Sequence, residues 1–389
     1  SEALHRETVA DRRYLHENPE LSFKEYNTAA FIKKRLTALN IPFESKADTG
    51  ILAWVQGTRC SSSEAIALRA DIDALPIYEA NKAAYRSKNE GTMHACGHDV
   101  HTASLIATAN IISKLKDSFS GTVKFIFQPA EERIPGGAKQ MIQEGVLENP
   151  APKYVLGQHA MPELPAGKIG IRPGNYMAST DELFIKVTGK GGHAAMPHLH
   201  TDPVAISCEL VSALQQIVSR QANPLIPSVL SFGRFIADGS TNVIPDAVEI
   251  EGTFRTLDEQ WRAEAHQRMR RLAETLVEGM GGTCSFEIRK GYPVLNNDEK
   301  LTDETRTHAI EFLGKDNVVD LDIWMAAEDF AYYAQVIPGC FYRLGTGNKA
   351  KGITSGLHTP TFDIEEEALK TGPGLMAYLV LKLLDPNEE

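Results

Sequence analysis

No stretch of this chain is apolar for long enough to span a bilayer, and it holds no internal repeat or low-complexity tract. Neither a membrane-spanning helix nor a repeat architecture is therefore expected. Positive charge is also short: 40 Lys and Arg stand against 51 Asp and Glu, a net charge of −11. Phosphate binding needs a basic face, so nucleic acid is not an expected partner. Cysteine is sparse. Cys60, Cys96, Cys208, Cys284 and Cys340 are odd in number and widely scattered. They form no disulfide framework and suit a reducing compartment. Ser1–Asp11 is polar and helical in character, without the pattern of a signal peptide, so a cytoplasmic location is expected.

The chain has 389 residues, 42% hydrophobic and 23% charged, as an ordinary globular protein does. That length exceeds what one core usually serves, so two domains are expected. In the first 180 residues apolar strands alternate with helical patterns. Ile51–Gln56, Ala65–Ala70, Gly121–Gln128 and Tyr154–Gln158 read as strands, and Glu25–Leu39 reads as an amphipathic helix. The alternation predicts an α/β domain with a mainly parallel sheet. From Asp181 the order becomes β-α-β-β-α-β, that of a ferredoxin-like unit. The expected layout is a first domain over 1–180 and 292–389, with an α+β domain over 181–291 inserted into it.

Parallel sheets bind ligands beyond the carboxyl ends of their strands. Asp71 and Asp73, Glu131 and Glu132, and His159 each follow such an end directly. A denser cluster, His94-Ala95-Cys96-Gly97-His98-Asp99-Val100-His101, enters a helix of the same sheet. Gly97 lets the chain turn so that Cys96 and His98 aim at one place. Asp99 is expected to cap the helix, and His94 and His101 to be structural.

The candidate metal ligands are Cys96, His98, Glu132, His159 and His358. Thiol, imidazole and carboxylate are the donors that borderline-soft divalent ions take. Five exceed the three that a single catalytic zinc uses, and fit two ions if the Cys96 thiolate bridges. Glu131 and Glu132, as neighbours on an extended segment, are expected to point opposite ways. One then ligates while the other acts as general base. Asp73 would orient a ligand from behind.

Several segments together give the chain a resemblance. They are Arg13-Tyr14-Leu15-His16 with Pro19-Glu20-Leu21, Leu68-Arg69-Ala70-Asp71-Ile72-Asp73-Ala74-Leu75-Pro76, His94-Ala95-Cys96-Gly97-His98-Asp99, Phe127-Gln128-Pro129-Ala130-Glu131-Glu132, Gly191-Gly192-His193-Ala194-Ala195 and Leu357-His358-Thr359-Pro360. Over essentially its whole length the chain resembles the M20 metallopeptidases, and among them the branch of N-acyl-amino-acid, hippurate and auxin-conjugate amidohydrolases. The resemblance implies two divalent ions, held by Cys96, His98, Glu132, His159 and His358, with Glu131 as base. Manganese, zinc, cobalt and nickel are the ions considered. It also implies that the inserted domain is a lid through which the protein forms a homodimer. His193 would reach the partner subunit's site and stabilise the oxyanion, while Asn242 and Arg255 would hold the substrate's backbone and carboxylate. The implied substrate is a small N-acyl amino acid, with a dipeptide or a carboxypeptidase substrate as the alternative. Many aminopeptidase relatives carry His-x-Asp where this chain has Asp71-Ile72-Asp73, and Asp where it has Cys96. The amidohydrolase branch fits at both places.

Overall fold

The computed structural model describes residues 1–384. Residues 385–389, the tail of the expected 292–389 segment, lie outside the described residues. The chain divides into two compact units. Unit 1 comprises Ser1–Gly174, Asn296–Asp322 and the residues from Asp329 onward; unit 2 comprises Asn175–Leu295 and Ile323–Glu328.

Unit 1 is built on an eight-stranded sheet. Its strands run in the order Phe43–Lys46, Gly50–Gln56, Thr122–Gln128, Ala65–Asp71, Tyr154–Pro165, Gly339–Gly347, Ile169–Ile171 and Val318–Asp320. The four central strands, Thr122–Gln128 to Gly339–Gly347, are mutually parallel. The fold is therefore the expected α/β with a mainly parallel sheet. Ala65–Asp71, Thr122–Gln128 and Gly339–Gly347 are buried at every position, as strands covered on both faces must be. The His98–Lys114 helix is buried nearly all round, and its Val100, Leu105, Ile106, Ala109 and Ile112 join the core. Leu375, Met376, Leu379 and Val380 of the Ala368–Leu384 helix join the same core.

One strand outruns its sequence pattern. Tyr154–Pro165 continues well past Gln158, so His159 lies inside a strand rather than after one. Its neighbour Ala65–Asp71 pairs only as far as Arg69 with Gly157, however. His159 thus still stands on the rim, level with the last residue of that neighbour and beyond their pairing.

Unit 2 has a four-stranded antiparallel sheet, ordered Ser228–Ile236, Ala247–Thr256, Asp181–Thr188 and Thr283–Lys290. With helices Pro203–Gln216 and Glu259–Gly279 this is the ferredoxin-like succession. Asp181–Thr188 alternates buried and exposed positions, and Leu183, Ile185 and Val187 enter a core with Trp261, Met269 and Val277.

A buried ion cluster closes one end of that sheet. Arg262 Nη2 donates to Asp181 Oδ1 at 2.6 Å, and His266 Nε2 lies 2.6 Å from Oδ2. Burial alone would raise the Asp181 pKa, but His266 and Arg262 outweigh it and hold it below the usual carboxylate range. Its stabilisation is therefore complete above its unfolded pKa of about 3.9 and is lost as pH falls through the lower folded value. Asp181→Asn should be less stable at pH 7, since Arg262 loses its counter-charge. Its urea midpoint should then fall less steeply than the wild type's below pH 4. Parallel curves for the two proteins in that range would remove Asp181 from the role.

Candidate metal centre

The centre lies wholly within unit 1, on the rim at the carboxyl ends of the central strands. Gly97 makes the first bend. Its φ of +85° is in the left-handed region, and a Cβ there would come within 2.7 Å of the Ala160 Cβ. No other residue allows both the turn and the close approach. Cys96 and His98 consequently flank a point where the chain turns into its helix. Gly97, and not Asp99, is the cap of that helix. Asp99 sits one residue inside the helix and turns away to a buried arginine, because an unpaired carboxylate at that depth would be far more costly than an unfilled cap.

Five donors from distant segments meet. Cys96 Sγ lies 3.4 Å from His159 Nε2 and 3.2 Å from His358 Nε2. Glu132 Oε1 lies 3.3 Å from His358 Nε2 and 3.8 Å from His98 Nε2. The ligand atoms of Cys96, His98 and His159 lie within 4.8 Å of one another, as do those of Cys96, Glu132 and His358. Cys96 is common to both triads. Glu131, His98 and Glu132 form a third such group. Both glutamates therefore reach one place, contrary to the expectation that they diverge. Ala130 has a left-handed φ of +54° and the segment after Pro129 bends, so strand alternation does not apply.

The ring orientations suit metal binding. His98 Nδ1 faces the Asp73 carbonyl at 3.0 Å and Asp73 Oδ1 at 3.2 Å. A carbonyl only accepts, so Nδ1 carries a proton and Nε2 turns toward the donors. Likewise His159 Nδ1 faces the Ala160 carbonyl at 2.8 Å, leaving Nε2 toward Cys96. Asp73 also accepts from the Glu132 amide at 3.0 Å and from Ser22 Oγ at 2.6 Å. It thereby fixes two donor-bearing segments at once.

The electrostatics call for a cation. His98 Nε2 and Glu132 Oε1 are buried without a hydrogen-bond partner. Burial, then Glu132, Glu131 and Asp71, drive the Cys96 thiol well above its ordinary pKa. A thiol nucleophile needs the opposite shift, so unaided thiol catalysis does not suit Cys96. Burial opposes charge on His98, yet Asp71, Asp73 and Glu132 hold its pKa up at about 10. The negative surroundings that draw a proton there would equally draw a divalent ion. Burial keeps His159 neutral, the form that ligates.

Behind the rim lies a second buried network. Arg12 Nε donates to Asp99 Oδ2 at 2.8 Å, and Arg12 Nη2 to Asp363 Oδ1 at 3.1 Å. His16 joins Asp99 at 2.8 Å to Glu79 at 3.2 Å. Of the motif Arg13-Tyr14-Leu15-His16, then, His16 is tied to the helix that bears His98. Arg13 instead pairs with Glu366 near the surface at 2.7 Å.

His193, Asn242 and Arg255 belong to unit 2. Gly192–His193 pairs with Val243–Ile244, and Ala194 N donates to the Asn242 carbonyl, so His193 and Asn242 stand together on an exposed two-stranded ribbon. Arg255 is half-buried, bonded to the Met325 carbonyl at 3.0 Å. The strand register puts it at the other end of the sheet: Ala247, next to the ribbon, pairs with Thr188, while Phe254 pairs with Asp181.

A thiol-imidazole-carboxylate cage on the rim of a parallel sheet is the arrangement of a metal-dependent hydrolase. The chain belongs to peptidase family M20/M25/M40, whose sequence profile matches residues 67–382. It is 40% identical to an N-acetyl-L-cysteine deacetylase of Bacillus subtilis, over 99% of this chain and 90% of that one. It is 45% identical to an N-acyl-L-amino acid amidohydrolase of Geobacillus stearothermophilus, over 75% and 79%. It is 39% identical to thermostable carboxypeptidase 2 of Saccharolobus solfataricus, over 95% and 94%. Among solved structures, a dinuclear metal binding peptidase of the M20 family from Bacillus subtilis superposes with a TM-score of 0.85. That structure is 37% identical, with 99% of each chain covered.

Proposed function

We propose that the protein hydrolyses the amide bond of N-acyl amino acids, using two divalent ions held by Cys96, His98, Glu132, His159 and His358. The observation that carries this is the convergence of the five donors, two of whose atoms, His98 Nε2 and Glu132 Oε1, are buried with no hydrogen-bond partner. Cys96, the residue common to both triads, would serve both ions. Bound there, the ions would polarise the scissile carbonyl and lower the pKa of a shared water.

The remaining chemistry belongs to the chain. Glu131 takes the proton of the attacking water and passes it to the leaving amine. Asp73 keeps the His98 ring turned inward and ties down the Glu132 segment. His193 donates to the developing oxyanion. Asn242 holds the substrate's backbone, and the Arg255 fork takes its carboxylate. The strand between the His193 ribbon and Arg255 spans roughly 25 Å at about 3.3 Å per residue. One small substrate cannot touch both in a single copy. The separation supports a homodimer in which the His193 ribbon of one copy serves the other copy's centre. None of the five cysteines is paired, which supports a reducing, cytoplasmic location.

The relatives named for N-acyl amino acids favour that substrate class, and the carboxypeptidase relative favours a second reading, cleavage of peptides at their carboxyl end. A turnover screen separates them. Metal-stripped protein reloaded with manganese, zinc, cobalt or nickel is offered N-acetyl and N-benzoyl amino acids beside dipeptides and blocked peptides. At least tenfold higher kcat/KM is expected on the N-acyl amino acids. Faster turnover of peptides would establish the second reading, and full activity without metal would overturn both.

A further inference from the structure

Two buried side chains at the base of the centre are not among its five donors. His101 lies one helical turn after His98, so its ring leaves the same face of the helix. Its centroid is 5.4 Å from the His98 ring and 4.6 Å from the His159 ring. His101 Nε2 accepts a hydrogen bond from the Ala160 amide at 2.8 Å. An amide only donates, so the His101 proton must sit on Nδ1. That nitrogen faces Asp71 Oδ1 at 2.5 Å. Asp71 is fixed in turn, its Oδ2 taking Arg69 Nη1 at 2.6 Å.

We propose that His101, anchored by Asp71, is a positioning residue that sets the tautomer and aim of His159 through Ala160. Every link is directional. Asp71 orients the His101 ring, and the ring holds the Ala160 amide. The carbonyl of the same residue then receives the His159 Nδ1 proton at 2.8 Å. With Nδ1 so occupied, His159 presents Nε2 to Cys96. Ala160 needs this grip because the ladder to Ala65–Asp71 stops at Gly157, so no strand neighbour holds it on that side. Asp71, His98 and His101 do lie near enough to suggest a cation site of their own. Both Asp71 oxygens and both His101 nitrogens are already committed, so the trio is a brace.

The inference rests on the two-ion reading, and its test keeps the two apart. His101→Asn retains a donor toward Asp71 but cannot reach the Ala160 amide. His101→Gln places an amide oxygen near the position of Nε2. The first readout needs no metal: ¹⁵N-histidine spectra of the stripped full-length chain. His159 should be protonated on Nδ1 alone in the wild type and in His101→Gln, and should exchange between tautomers in His101→Asn. The second is metal affinity by chelator competition on loaded protein. His101→Asn should weaken one of two ions by about 10–100-fold, the usual effect of removing a ligand's outer partner, with the other ion unchanged. A single His159 tautomer throughout, or equal loss of both ions in both variants, would overturn the proposal. A wild-type chain that binds fewer than two ions while showing the expected tautomers would instead overturn the two-ion reading.

Discussion

Glu131→Gln should bind both ions like the wild type and lose about 10²–10⁴-fold in kcat, the range that a positioned general base supplies. Glutamine matches glutamate in shape and keeps an oxygen, but it cannot take a proton from water. The geometry makes this a sharp test, because Glu131 lies close enough to His98 and Glu132 to be a ligand instead. Were it a ligand, the variant's metal content would fall along with its rate. Metal stoichiometry measured beside steady-state kinetics decides: full metal with lost turnover marks the base, and lost metal marks a sixth donor. Unchanged kcat would exclude both.

Arg12→Ala should cost about 3–5 kcal/mol of stability, the usual result of stripping one partner from a buried ion pair. Arg12 is fully buried, and its guanidinium holds Asp99 and Asp363 together. Burial would raise the Asp99 pKa, but Arg12 and His16 pull it far below the carboxylate range. Without Arg12 that carboxylate must stay charged in the core or take up a proton. Arg13→Ala, one residue along, is the control. Its pair with Glu366 is half-exposed and is worth at most about 1 kcal/mol. Urea unfolding of both variants at equal metal loading provides the measurement. Losses of similar size would show that the buried network does not stabilise this end of the helix.

The sheet and its rim were legible because buried parallel strands leave near-continuous apolar runs, as Ala65–Ala70 does. Short strands such as Phe43–Lys46, Ile169–Ile171 and Val318–Asp320 carry too few residues for a period and were not legible. Two local readings failed for physical reasons. Asp99 has the chemistry of a helix cap, but the distant Arg12 competes for it, and no local pattern reports a partner 87 residues away. Glu131 and Glu132 were expected to diverge by strand alternation, yet the chain bends at Ala130 before reaching them. His101 reads as structural, as a buried residue on a helix does, and its nearness to the centre has one local sign. A spacing of three residues from His98 was the available signal, since it puts both rings on one face.

The five donors enter the chain at positions 96, 98, 132, 159 and 358. A ribosome adding about 5–20 residues per second would need roughly 10–40 s to travel from His159 to His358. For that interval a nascent chain carries Cys96, His98, Glu132 and His159 without the histidine that completes the second triad. On the two-ion reading proposed above, the donors of the first triad are all present once His159 has been made, whereas filling of the second must wait for His358.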